Sequence, residues 1–95
     1  MQFLLSGYDA KDPEATDRRM AVREKHLKNV KELKDSGNFI WGGAILSDTG
    51  VMTGSVIVYE FNSREELDIM LESEPYVLGK VWGKIKIDNF KLASI

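Results

Sequence analysis

One long segment of helical period, bounded by Asp12-Pro13 at its start and Ser36-Gly37 at its end, lies between runs that read as strands. A helix of that length must bury one face, and the flanking runs offer a sheet to bury it against. Gln2 to Tyr8 reads as the first strand, closed by Gly7 and Asp9. Asp12 is the expected N-cap, Pro13 the first helical position and Gly37 the stop. Phe39 to Leu46 and Met52 to Phe61 read as two strands joined by the turn Ser47-Asp48-Thr49-Gly50. Asn62-Ser63 caps a second helix running to Leu71, with Ser63 and Glu66 at capping-box spacing. Pro75 interrupts it, Tyr76 to Lys80 forms a turn, and Val81 to Leu92 is the last strand. The order βαββαβ predicts an α+β, ferredoxin-like fold: a four-stranded antiparallel sheet with both helices on one face.

With 95 residues, 43% of them hydrophobic and 29% charged, the chain is expected to form one domain over residues 1–95. A chain this short buries only roughly 60–65% of the surface it exposes when unfolded, so a second copy is a ready way to remove more. The run Gly54-Ser-Val-Ile-Val-Tyr-Glu-Phe61 sharpens that expectation. Alternation puts Ser55, Ile57, Tyr59 and Phe61 on one face, and Val56, Val58 and Glu60 on the other. Both faces are apolar, whereas a solvated sheet face is usually polar. A homodimer is expected, covering the helix-free face through Val56 or Ile57, whichever lies there.

Other classes are disfavoured by what the chain lacks. There is no cysteine, so disulfides and thiolate chemistry are excluded. A formal charge of −2 argues against nucleic acid as a partner, and the third strand has no aromatics at Ser55 or Ile57 on which bases could stack. One histidine leaves only carboxylates for a metal, and Asp48, Asp68 and Asp88 lack ligand-like spacing. No apolar run is long enough for a membrane, and the start "MQFLLSGYDAKD" does not read as a signal peptide, so the expected location is cytoplasmic.

That one histidine, His26, lies in the long helix. Wound at 100° per residue, Met20, Leu27, Val30 and Leu33 form the arc expected to face the sheet, and Arg19, Arg23 and His26 share it at spacings of four and three. Glu24, Lys25, Lys28, Lys31, Glu32 and Asp35 form the solvated side. Two readings of the three polar residues stand open. In one, the arginines snorkel and His26 bonds a backbone carbonyl. In the other, a polar pocket between helix and sheet holds an imidazole able to move a proton near neutral pH, with guanidiniums to bind an anion. Trp41 and Trp82 are read as core or interface packing residues.

The segments "REKHLKNVKELKDSG", "WGGAILSDTG", "GSVIVYEFNSREEL" and "EPYVLGKVW" together resemble the YciI-related (YCII) family of small ferredoxin-like proteins, over nearly the full length of the chain. The resemblance implies a dimeric α+β barrel with a histidine–aspartate pair at a pocket. His26 takes the histidine's place, and Glu74, one methylene longer, takes the aspartate's. The family includes an enzyme that removes chloride from a chlorinated hydroxyquinone. The resemblance does not fix a reaction; the leading expectation is a cofactor-independent lyase, isomerase or hydrolase-like enzyme acting on a small anionic or aromatic metabolite. His26 would be the base and Glu74 its orienting partner, with Arg19 and Arg23 as anion contacts and Ser55 as a hydrogen-bond donor. The competing expectation is a non-catalytic dimeric module that binds a small ligand or stabilises a partner protein.

Overall fold

The computed structural model describes all residues, 1–95. Strand β1 (Gln2–Asp9) leads into helix α1 (Ala15–Asp35), hairpin β2 (Phe39–Leu46) and β3 (Met52–Glu60), helix α2 (Arg64–Leu71), one-turn helix α3 (Pro75–Leu78) and β4 (Trp82–Phe90). The four strands form one sheet in the order β2-β3-β1-β4, with every neighbouring pair antiparallel. This is the expected ferredoxin-like α+β fold, with the helices on one face. No helix is long and apolar enough to cross a membrane.

Period two in β1 and β3 decides which side chains enter the core. Phe3 and Leu5 of β1 and Ile57 and Tyr59 of β3 point towards the helices, where they join Leu67, Tyr76, Val81 and Trp82. Ile57 is therefore on the helix side, and Val56 is the residue on the open face, beside Val58 and Leu4. Trp82 packs in the core, one of the two places expected for the tryptophans, and Trp41 is 56% exposed on the single chain. Glycine at position 7 is what admits Trp82: a Cβ there would lie 2.7 Å from indole carbons.

The end of α1 matches its sequence signal. Gly37 takes φ of +83°, its N–H donates to Lys34 O, and the N–H of Asn38 donates to Leu33 O. That is the paired bonding of a Schellman stop, which needs a left-handed residue just past the helix. The start differs from expectation. The helix begins at Ala15, its N-cap is Glu14 with no side-chain cap bond, and residues 12–14 form a turn. Asp12 is not the cap because Arg18 engages both its carboxylate oxygens, at 3.1 and 2.6 Å. That hydrogen-bonded pairing holds the Asp12 carboxyl below its usual range and raises Arg18.

The buried arc of α1 also differs. Met20 is 53% exposed and Leu27 is exposed too, while Arg19 and His26 are the buried residues, with Val22 and Leu33 packed on the core. The arc is centred on His26, which leaves Met20 roughly 120° away around the helix. At α2, Ser63 Oγ accepts from the Glu66 N–H as the spacing implies, and the Glu66 carboxylate reaches back to the N–H of Asn62.

Candidate active site

The turn between α2 and β4 delivers a carboxylate into the protein. Pro75 opens α3, and Glu74 caps it, its Oε1 accepting from the Tyr76 backbone N–H at 3.1 Å. This local bond aims the side chain inward, where it is 0% exposed. There Oε1 lies 2.5 Å from His26 Nδ1, and Oε2 accepts from Asn29 Nδ2 at 3.0 Å. A buried carboxylate is costly without donors, and this one has three. When the imidazole is neutral and its Nδ1–H donates to Glu74, the lone pair falls on the other ring nitrogen, Nε2, which has no partner within the chain.

A second buried cluster adjoins the first. Arg19, 3% exposed, pairs with Asp9 through Nη1 at 2.8 Å. Its Nη2 donates to the Gly54 carbonyl at 3.1 Å and to Ser55 Oγ at 2.8 Å. Trp82 Nε1 donates to the same oxygen at 3.2 Å. A hydroxyl has two acceptor lone pairs and one proton. Both lone pairs of Ser55 are therefore occupied, and its proton is left as the group it can offer. Tyr76 joins the two clusters, its ring stacked on His26 with centroids 3.8 Å apart.

Between α1 and the β2–β3 hairpin lies a cleft of about 170 Å³. The polar residues on its wall are Arg19, Arg23, His26, Ser55 and Tyr76, and apolar ones such as Leu27, Phe39 and Ile57 complete it. Arg23 is half-buried and makes no ion pair or hydrogen bond within the chain, in contrast to Arg19. Burial raises the Tyr76 phenol above its ordinary value, and the nearby Arg19 and Arg23 charges oppose the shift. It stays a neutral hydroxyl at physiological pH.

The structure thus gathers all five residues singled out in the sequence at one site. His26, Arg19, Arg23 and Ser55 line the cleft, and Glu74 stands behind the imidazole. Four contributors were missed: Asp9, Asn29, Tyr76 and Trp82. Asn29 was legible in principle, three residues after His26 and so on the same helical ridge. Asp9 and Trp82 carried no signal, because only the β1–β4 pairing brings them together.

Comparison with known proteins agrees over the whole chain. It is 28% identical to Protein YciI of Escherichia coli O6:H1 over 97 residues, spanning 96% of this chain and 97% of that one. Against derivative of benzaldehyde biosynthesis cluster protein C of Emericella nidulans it is 32% identical over 76 residues, covering 72% and 78% of the two chains. Among solved structures, 5-chloro-2-hydroxyhydroquinone dehydrochlorinase of Burkholderia phenoliruptrix, in complex with 2,5-dihydroxybenzoquinone, has the same fold at a TM-score of 0.83. That match is 24% identical and covers 98% of this chain and 96% of that one. The family model for the YCII-related domain spans residues 1–91, a range that contains the four segments that carried the resemblance, and the chain belongs to the YCII-related domain family.

Proposed function

We propose that this protein is a cofactor-independent enzyme that moves a proton on a small, ring-sized oxyanion. The observation that carries this reading is the polarity of the cleft. In the neutral imidazole whose Nδ1–H faces Glu74 at 2.5 Å, His26 Nε2 is an acceptor. Ser55 is a donor, because Arg19 and Trp82 fill its lone pairs. Arg23 is an unpaired cation on the same wall. A complementary ligand presents an acidic O–H or C–H to His26 and anionic oxygen to Ser55 and Arg23. The size agrees, since an engineered cavity of about 150 Å³ accepts benzene.

In this reading Nε2 takes a proton from the ligand, and the resulting imidazolium is stabilised by Glu74 across Nδ1–H. The electron pair left behind withdraws onto an oxygen held by the Ser55 hydroxyl and the Arg23 guanidinium, or expels a leaving group from the ring. Arg19 acts one step back, holding Ser55 in place while Asp9 balances its charge. A non-catalytic binding module would not require a buried carboxylate behind the imidazole, so the enzyme reading is preferred. We further propose that two copies associate through the helix-free sheet face, where Leu4 and Val56 are partly exposed.

The test takes its probes from the dehydrochlorinase of the same fold. Calorimetry should show saturable binding of 2,5-dihydroxybenzoquinone, and 5-chloro-2-hydroxyhydroquinone or a related hydroxylated ring should be turned over. Absence of binding and turnover across a panel of hydroxyquinones and aromatic carboxylates would overturn the reading.

A further inference from the structure

Tyr76 touches both polar clusters of the site. Its ring lies nearly parallel to the His26 imidazole, at 7°, with centroids 3.8 Å apart. Arg19 Cζ stands 4.7 Å from the centroid of the same ring, and Trp82 meets it edge-on at 5.5 Å. Its backbone N–H donates to Glu74 Oε1, the oxygen that also receives Nδ1–H of His26. One residue thus holds the carboxylate through its main chain and faces the imidazole with its side chain.

The single bond to Glu74 does not fix the imidazole. A ring anchored at one nitrogen can still tilt about that bond, which carries the opposite nitrogen away from its target. A flat aromatic contact opposes the tilt, and the π face also favours the positive charge that the imidazole takes on when it accepts a proton. Around His26 the charged and titratable groups are Glu74 behind it, Arg19 and Arg23 along its own helix, and Tyr76 on its face, with Asn29 bonded to the same carboxylate.

We propose that Tyr76 is a positioning residue for His26, its ring holding the imidazole so that Nδ1–H stays on Glu74 and Nε2 stays on the cleft. The consequence for turnover rests on the acid–base reading of His26, but the positioning is measurable without any ligand. It needs the ring and not the hydroxyl, so phenylalanine serves as well as tyrosine.

Nitrogen-15 NMR of the unliganded protein, with histidine labelled, tests this directly. Wild type and Tyr76→Phe should both show His26 as the Nδ1–H tautomer with slowly exchanging Nδ1–H. Tyr76→Leu should show mixed tautomers and exchange faster by about tenfold, the scale of one lost aromatic contact. A folded Tyr76→Leu protein with unchanged tautomer and exchange overturns the proposal. If that variant does not fold, the carbon-bound ring protons of His26 decide. Ring-current shifts upfield in both wild type and Tyr76→Phe support the stack, and random-coil positions in either overturn it. Failure of the acid–base reading is seen separately, as unchanged turnover in His26→Gln.

Discussion

His26 Nδ1 and Glu74 Oε1 lie 2.5 Å apart although the two residues are 48 positions apart in the chain. The contact depends on the one-turn helix α3. Its cap bond from the Tyr76 N–H turns the glutamate side chain inward, and the longer side chain then reaches the imidazole from a turn that stays at the surface of the core. Where the resemblance implies an aspartate, the carboxylate of Glu74 still meets the imidazole.

Tyr59→Phe is expected to leave stability unchanged or to raise it. The Tyr59 hydroxyl is buried with no hydrogen-bond partner, and an unsatisfied buried group costs about 1–3 kcal/mol. Burial raises its ionisation well above the ordinary 10.0, with the Glu74 charge adding to the effect. A raised folded-state value means that stability is intact below the unfolded value and falls as pH rises past it. Alkaline loss of stability should therefore begin near pH 10 in wild type and be smaller in Tyr59→Phe. Urea midpoints at neutral and alkaline pH measure both effects, and a clear destabilisation at neutral pH would contradict the first.

Val56→Lys should split the proposed dimer. Val56 lies partly exposed on the helix-free face opposite Ser6, with Leu4 on the same face. A lysine there would bury a charge without a partner if two copies meet on this face. Sedimentation should give a dimer for wild type at micromolar concentration and a monomer for the variant. A monomeric wild type would remove the assembly from the account.

Arg23→Gln should weaken 2,5-dihydroxybenzoquinone binding about tenfold or more, while thermal stability changes by roughly 0.5 kcal/mol or less. The expectation follows from the absence of any intramolecular partner for this guanidinium. Arg19→Gln should behave differently. It removes half of a buried ion pair with Asp9 and should cost roughly 3–5 kcal/mol. Equal stability losses in the two variants, followed by thermal melts, would contradict the division of labour between them.

Much of this architecture could be read from the chain, because it rests on local periodicity and punctuation. The βαββαβ order, the Gly37 stop and the Ser63 cap are all decided within a few residues. Ridge spacing in α1 was enough to bring Arg19, Arg23 and His26 to one wall. It did not centre the arc, because an apolar count favoured Met20 and Leu27 over buried polar residues whose partners lie elsewhere. Those partners, Asp9 and Trp82 around Arg19 and Ser55, come from strands joined by long-range pairing, which no local pattern encodes. The role of Asp12 was misread for a related reason: Arg18, six residues on, competes for the carboxylate that would otherwise cap the helix.

The central claim is that His26 and Glu74 act as one proton-transfer unit. It is tested most directly by turnover in wild type, His26→Gln, Glu74→Gln and the double variant, on the ring oxyanion that wild type converts fastest. Each single change should lower kcat by about 10²–10⁴, with the proteins folded, and the double variant should be no slower than the worse single. Near-wild-type turnover in His26→Gln, or losses that multiply in the double variant, would contradict it.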